Sequence, residues 1–244
     1  MPTSTLTNTS VLRQREQVAH GTLAFHFDKP AGFEFRAGQS IDLTLVNPAE
    51  TDAEGNTRAF SLVSAPSDPE LTIATRMRDT AFKRTLANMP LGGEVKIDGP
   101  GGSFTLLRNA ARKVIFLAGG IGITPFHSMI RHASLNKLPH QLYLFYSNRR
   151  PEDAAFLMEL QSLTQQNPNF HFVPTMTEME KSQRAWDGER GFISTEMLAK
   201  HLPSLEDSVF YVAGPPAMVT AMRQMLISAQ VDEDDIRTEE FSGY

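Results

Sequence analysis

Up to about residue 108, the chain alternates apolar and polar positions in short runs broken by Gly and Pro. Ile41-Asp42-Leu43-Thr44-Leu45, Leu71-Thr72-Ile73 and Val95-Lys96-Ile97 all keep this rhythm. Period-two patterning puts every second side chain on one face, so these runs predict strands of a small antiparallel barrel or sandwich. Residues 81–89 read as the one helix of this half, opened by Asp79 and Thr80 as candidate caps and stopped by Pro90. The clusters Gly92-Gly93 and Gly99-Pro100-Gly101-Gly102 predict turns.

Beyond about residue 110 the rhythm changes. Val114-Ile115-Phe116-Leu117-Ala118 is a continuous apolar run, as expected of a strand covered on both faces. Further strands fit 142–146, 170–174 and 209–213, alternating with helices over 124–133, 152–165, 195–201 and 216–229. Such alternation predicts right-handed crossovers and a doubly wound parallel sheet. The fold class is therefore β followed by α/β: an antiparallel β-barrel domain over 1–108, then a parallel-sheet domain over 109–244.

Composition narrows the chemistry. The 244 residues include no cysteine, which excludes disulfides, thiolate nucleophiles and cysteine-held zinc or iron–sulfur centres in this chain, and no metal site is expected. A net charge of −5 argues against nucleic acid as a partner. The first ten residues lack the basic-then-apolar order of a signal peptide. The longest uncharged stretch, from Val114, meets three glycines and a proline long before the roughly 20 apolar residues a bilayer span requires. The expectation is a cytoplasmic protein with no membrane span. His127 and His132 share a predicted helix at a spacing of five, which does not pair them on one face, so both read as packing or surface residues.

Two turns carry the candidate chemistry. The apolar run at Val114 leads into Gly119-Gly120-Ile121-Gly122-Ile123-Thr124-Pro125, directly ahead of a predicted helix. Glycines let the backbone approach a ligand, and a helix start offers free N–H groups to an anion. Gly120-x-Gly122-x-x-Pro125 has the form of a dinucleotide-binding fingerprint with Pro in place of the last glycine, and Pro suits the first helical position. A second apolar strand ends in Gly214-Pro215-Pro216-Ala217-Met218, which in a doubly wound sheet can face the first turn across a crevice.

Arg58-Ala59-Phe60-Ser61 adds a third motif, in the barrel half. With all three in order, the chain resembles the ferredoxin–NADP(H) reductase superfamily over nearly its full length. That family carries Arg-x-Tyr-Ser/Thr, then Gly-Gly-x-Gly-x-x-Pro, then Cys-Gly-Pro-x-x-Met. The resemblance implies that Arg58 meets a flavin pyrophosphate, that Phe60 lies against the isoalloxazine without the usual tyrosine hydroxyl, and that Ser61 approaches the flavin N5. Ala59, Ile73, Thr75 and Arg76 are implied flavin contacts. So are Thr80, Ala81 and Phe82 at the inserted helix, where Asp79 is expected to cap and not to face the diphosphate. Gly119, Gly120, Gly122, Thr124 and Pro125 are the implied nicotinamide dinucleotide contacts of the first turn, and Gly214, Pro215 and Met218 those of the second. Thr124 would face the junction of the two rings. Ala213 replaces the family's cysteine, which implies looser nicotinamide placement.

The implied reaction is hydride transfer from NAD(P)H to bound FAD, then electron release to a separate carrier such as a ferredoxin or flavodoxin. The chain end, Glu239-Glu240-Phe241-Ser242-Gly243-Tyr244, offers Phe241 or Tyr244 as the aromatic cover of the flavin, Phe241 being preferred, and Glu240 as a polar partner of the nicotinamide. Cofactor choice turns on Ser147-Asn148-Arg149-Arg150 and on Thr177 with Glu178 close behind. Neither loop begins with a carboxylate to hold an NAD ribose, which favours NADPH over NADH. FAD versus FMN stays open. Two other readings stand beside this one: an NAD(P)H:flavin reductase that releases its flavin, and a non-catalytic nucleotide-binding regulatory subunit.

Overall fold

The computed structural model describes residues 8–241. Six strands form the first sheet: β1 (Asn8–Ala19), β2 (Thr22–Asp28), β3 (Ser40–Leu45), β4 (Thr57–Ser61), β5 (Glu70–Arg76) and β6 (Glu94–Gly101). Their order is β4-β3-β6-β1-β2-β5, with every neighbouring pair antiparallel. The alternation along β3 works as its sequence dictates, with Ile41, Leu43 and Leu45 buried while Asp42 faces out. The two edges of the sheet curl together, and Val63, just past β4, donates its N–H to the Thr72 carbonyl of β5 at 2.8 Å. Helix α1 (Ala81–Asn88) adds Phe82 and Leu86 to the core inside this curl.

Thr80 caps α1, its hydroxyl accepting from the Lys83 N–H at 3.3 Å. Asp79 does not cap; it pairs with Arg84, which Glu50 also holds at 2.6 Å. The expected turn at Gly99-Pro100-Gly101 is strand instead, with Gly101 in register with Ser40. The reason is a bulge: the register shifts between Ser40 and Asp42, and a Cβ on Gly99, whose φ is +136°, would press on the Ser40 carbonyl at 3.2 Å.

The second sheet is parallel throughout, in the order β10-β9-β8-β7-β11-β12. Its strands are β7 (Lys113–Gly119), β8 (Leu142–Asn148), β9 (Phe170–Met176), β10 (Glu189–Arg190), β11 (Ser208–Gly214) and β12 (Ile236–Glu240). Helices α2 (Ile123–Leu135), α3 (Leu157–Gln166), α4 (Thr195–His201) and α5 (Pro216–Ser228) cover it. Alternate residues of β7 feed separate cores, Val114 and Phe116 packing with Phe126 and Ile130, Ile115 and Leu117 with Leu198 and Leu226. That two-sided burial explains the unbroken apolar run. Helix α3 starts at Leu157, later than the sequence suggests, because Phe156 takes a left-handed φ of 60° and sets its ring 4.6 Å from the His127 ring. Tertiary packing overrides helix propensity there. Pro125 is third in α2, not first, still among the positions whose N–H has no intrahelical acceptor. Among the described residues, no helix is long and apolar enough to cross a membrane.

The two sheets share a core. Phe104, past β6, packs 5.7 Å from Phe126 and edge-on to Tyr211 at 5.3 Å. On the other side of α2, His127 donates Nδ1–H to the Val63 carbonyl at 3.0 Å and Ser128 donates to Ser64 O at 2.6 Å. Arg131 completes the clasp with two bonds to Asp68, at 2.9 and 3.2 Å. Arg131→Ala leaves the half-buried Asp68 carboxylate with the Ala65 N–H but no cation, and we expect about 1–2 kcal/mol of lost stability. A urea midpoint unchanged from the native protein would refute the clasp.

Candidate active site

In the second sheet, β8, β9 and β10 lie on one side of β7, and β11 and β12 on the other. The order reverses between β7 and β11, and ligands of doubly wound sheets bind beyond the carboxyl ends of strands at such a point. The two glycine turns meet there. A Cβ on Gly122 would stand 2.3 Å from the Ala213 carbonyl oxygen, and one on Gly119 would strike Met218. Glycine is needed at position 122 because backbone meets backbone there, whereas at Gly119 the obstacle is the flexible Met218 side chain.

A cleft of about 420 Å³ opens beside this junction, walled by both sheets. Arg58, Ala59, Phe60 and Ser61 of β4 line it, together with Thr75 and Arg76 of β5, and Thr80, Phe82 and Lys83 at the start of α1. Ile121, Thr124 and Phe241 close it from the second sheet. Ser61 and Thr124, read from opposite halves of the sequence, therefore share one cavity. Phe60 and Phe82 sit 5.9 Å apart as its aromatic wall. Thr124 is buried and spends its hydroxyl on the Ile121 carbonyl at 3.2 Å, which fixes its rotamer.

The charge in the cleft is positive at the α1 end. Among the described residues, Arg76 and Arg78 have no carboxylate partner within ion-pair distance, and both line the cavity. Lys83 donates to the Arg76 carbonyl at 2.7 Å, and burial, then the Arg78 and Arg58 cations, hold its ammonium below the ordinary lysine range. Depression by neighbouring cations marks a local surplus that an anion would relieve. Lys83 is not among the residues the sequence marks for cofactor binding; its place three residues after the helix cap is the available signal. Arg58 is occupied differently. Its guanidinium bonds Asp52 at 2.9 Å, lies 3.1 Å from Glu54, and donates to the carbonyls of Glu54, Gly55 and Thr57.

At the chain's end the structure corrects one residue. Glu239, not Glu240, faces the site: its carboxylate accepts from Ser61 Oγ at 3.5 Å, while Glu240 is exposed on the opposite side of β12. Adjacent strand residues point to opposite faces, so only one of the pair can enter the cleft. Phe241 is fixed by its N–H donating to Gly214 O at 3.0 Å. Tyr244, the other candidate cover, lies outside the described residues. Burial pushes the Glu239 carboxyl above the ordinary glutamate value, with the Ser61 bond opposing. An acid raised in the folded state is penalised once ionised, so Glu239 costs stability above its folded pKa and nothing below the unfolded one. Glu239→Gln is expected to raise Tm at mildly alkaline pH, with the gain vanishing as pH falls to the ordinary glutamate range. A gain independent of pH would contradict this.

Other expected contacts fall elsewhere. Ile73 is fully buried in the core of the first sheet, and Ala81 is also buried outside the cleft lining. The Ile73 side chain takes the inward phase of β5, which leaves only its backbone to approach a ligand. Ser147, Asn148, Arg149 and Thr177 gather at the carboxyl ends of β8 and β9, where Thr177 N–H donates to Asn148 O at 2.9 Å. Asn148 Nδ2 is buried there without a hydrogen-bond partner. Arg150 is committed to Asp153 through two bonds of 2.8 Å, and Arg149 stands 3.7 Å from Glu178.

The oxidoreductase NAD-binding domain family matches residues 116–224 of the chain. The glycine betaine monooxygenase reductase subunit of Chromohalobacter salexigens is 30% identical over 226 residues, covering 91% of this chain and 60% of that protein. The propane 2-monooxygenase reductase component of Rhodococcus jostii is 28% identical over 220 residues, covering 88% and 58%. The chain thus spans less than two thirds of the length of either relative. Among solved structures, the FAD/NAD-binding domain of nitric oxide dioxygenase from Vibrio cholerae superposes with a TM-score of 0.82 at 22% identity, over 96% of this chain and 98% of that one. A ferredoxin NADP+ reductase from Neisseria gonorrhoeae with bound FAD and NADP gives 0.78 at 22%, with coverage of 96% and 98%. At that identity the likeness is one of fold. An antiparallel sheet joined to a nucleotide-type parallel sheet, with a cleft at the switch point, is the two-lobe fold of these neighbours. Within it, residues 116–224 match the oxidoreductase NAD-binding domain, and the chain resembles the ferredoxin–NADP(H) reductase superfamily.

Proposed function

We propose that the chain is a flavin-dependent NAD(P)H oxidoreductase that holds FAD in the cleft and passes electrons to a separate carrier. The observation that carries this reading is the meeting of Ser61, Thr124, Glu239 and Phe241 beside a cleft whose α1 end holds unpaired cations. FAD, when bound, supplies the capacity to accept a hydride and to release electrons singly. The chain's residues do the rest. Arg76, Arg78, Lys83 and the Thr80-capped start of α1 fit a diphosphate by charge and free N–H groups. Phe60 and Phe241 offer flat apolar faces that would exclude water, Ser61 would offer its hydroxyl to the flavin, and Thr124 would line the floor under a nicotinamide. Glu239, carrying a proton more readily than an ordinary glutamate, is the group placed to hold one beside Ser61.

Asn148, Arg149 and Thr177 are proposed to meet the adenosine end of the dinucleotide. With Arg150 held by Asp153, Arg149 alone of the arginine pair is left for a 2′-phosphate, and Glu178 beside it suits a ribose hydroxyl. NADPH preference therefore rests on Arg149. The relatives named as reductase components of monooxygenases support a separate protein as acceptor, and a small carrier such as a ferredoxin or flavodoxin is the form we propose. A second reading, a flavin reductase with loose flavin retention, is favoured by the carboxylates that occupy Arg58. Anaerobic addition of NADPH or NADH to the purified protein tests both. A yellow protein that bleaches supports the first reading, and a colourless one that reduces added FAD supports the second. A protein that does neither refutes the proposal.

A further inference from the structure

A second cavity, about 440 Å³, shares no lining residue with the cleft and lies at the other end of α2. Its walls come from both lobes: Phe35 and Pro66 from the first, Leu107 from the connector, and Leu138 from beyond α2. Arg36, Arg108, His132 and His140 also line it, and no carboxylate does. Among the described residues, Arg36 and Arg108 have no carboxylate within ion-pair distance, whereas Arg131 and Arg150 are held by Asp68 and Asp153.

The histidines add an independent observation. His140 is 5% exposed and donates Nε2–H to the Leu107 carbonyl at 2.7 Å, which leaves its buried Nδ1 without a hydrogen-bond partner. His132 Nδ1 accepts from Asn136 at 3.1 Å, so its proton resides on Nε2. Burial, then His140, holds His132 below the ordinary histidine value. Two cations and an incompletely bonded imidazole thus border an apolar floor. A purely apolar ligand would leave the arginines unused, and a simple anion would leave the floor unused.

We propose that this groove binds a small amphiphilic carboxylate, with its apolar body on Phe35, Leu107 and Leu138 and its carboxylate between Arg36 and Arg108. The size lies within the usual range for small-molecule sites, roughly 300–1,000 Å³. Because both lobes wall the groove, the ligand would contact both of them away from the cleft. This reading does not depend on the flavin proposal.

Octanoate is the probe, with 1-octanol as its uncharged counterpart, titrated calorimetrically into the full chain as purified and its R36Q/R108Q variant. Both arginines are exposed, so the variant keeps its fold. Saturable octanoate binding that weakens at least about tenfold in the variant, with 1-octanol binding both proteins equally, supports the site. Absence of saturable octanoate binding overturns it. So does equal octanoate affinity in the two proteins, or native binding of 1-octanol as tight as that of octanoate.

Discussion

Gly122→Ala will lower Tm by about 10 °C and slow reduction by NAD(P)H by about 100-fold. The added Cβ would stand 2.3 Å from Ala213 O, 2.5 Å from Ala213 C and 2.7 Å from Gly214 N. All three are backbone atoms, so no side chain can swing aside. The strain must move one turn away from the other, at a cost of about 3 kcal/mol for overpacking of this kind. The same displacement reaches the cleft by two routes. Gly122 immediately precedes the helix that carries Thr124, and Gly214 holds Phe241 in place through its carbonyl. Gly101→Ala is the matched control, because a Cβ there meets nothing closer than Ser40 Oγ at 4.0 Å. Native-like reduction by the Gly122 variant would show that the contact between the turns does not position the site.

That contact also marks how far the sequence could be read. The parallel strands were legible because burial on both faces forces continuous apolar runs, as at Val114–Ala118. The glycine turns were legible because close backbone approach leaves few residue choices. Strand β1 was not, since Arg13, Arg15, Glu16 and Gln17 interrupt it; Arg13 instead reaches Asp28 at 2.6 Å on the neighbouring strand. The choice between Glu239 and Glu240 was equally hidden. In Ile236-Arg237-Thr238-Glu239-Glu240 no apolar alternation marks the inward phase, and only the pairing of β12 with β11 sets it. The pairing of Arg58 with Asp52 and Glu54 depends on how the 52–57 loop folds back, which no periodicity encodes. Ile73 shows the converse, because the alternation of Leu71-Thr72-Ile73 already assigns its side chain to the core.

Arg58 separates the two functional readings, through substitutions of opposite sign. If its guanidinium grips the flavin diphosphate, Arg58→Ala removes a pair of charge-assisted bonds worth about 3 kcal/mol together, a loss of about 100-fold in flavin affinity. The variant also leaves Asp52 and Glu54 beside the phosphate site with nothing to neutralise them. Those carboxylates now compete with the flavin for the same cation. They are partly exposed, so each ion pair is weak, and replacing both by their uncharged amides (D52N/E54Q) should tighten flavin binding only about fivefold. The opposite signs matter because a loop disordered by either change would weaken binding in both. Flavin titration of the apoprotein, followed by fluorescence quenching, reads both variants on one scale. Weaker binding in D52N/E54Q would mean that the carboxylates position Arg58 for the diphosphate instead of competing for it. Unchanged affinity in Arg58→Ala would assign the phosphate grip to Arg76, Arg78 and Lys83 alone.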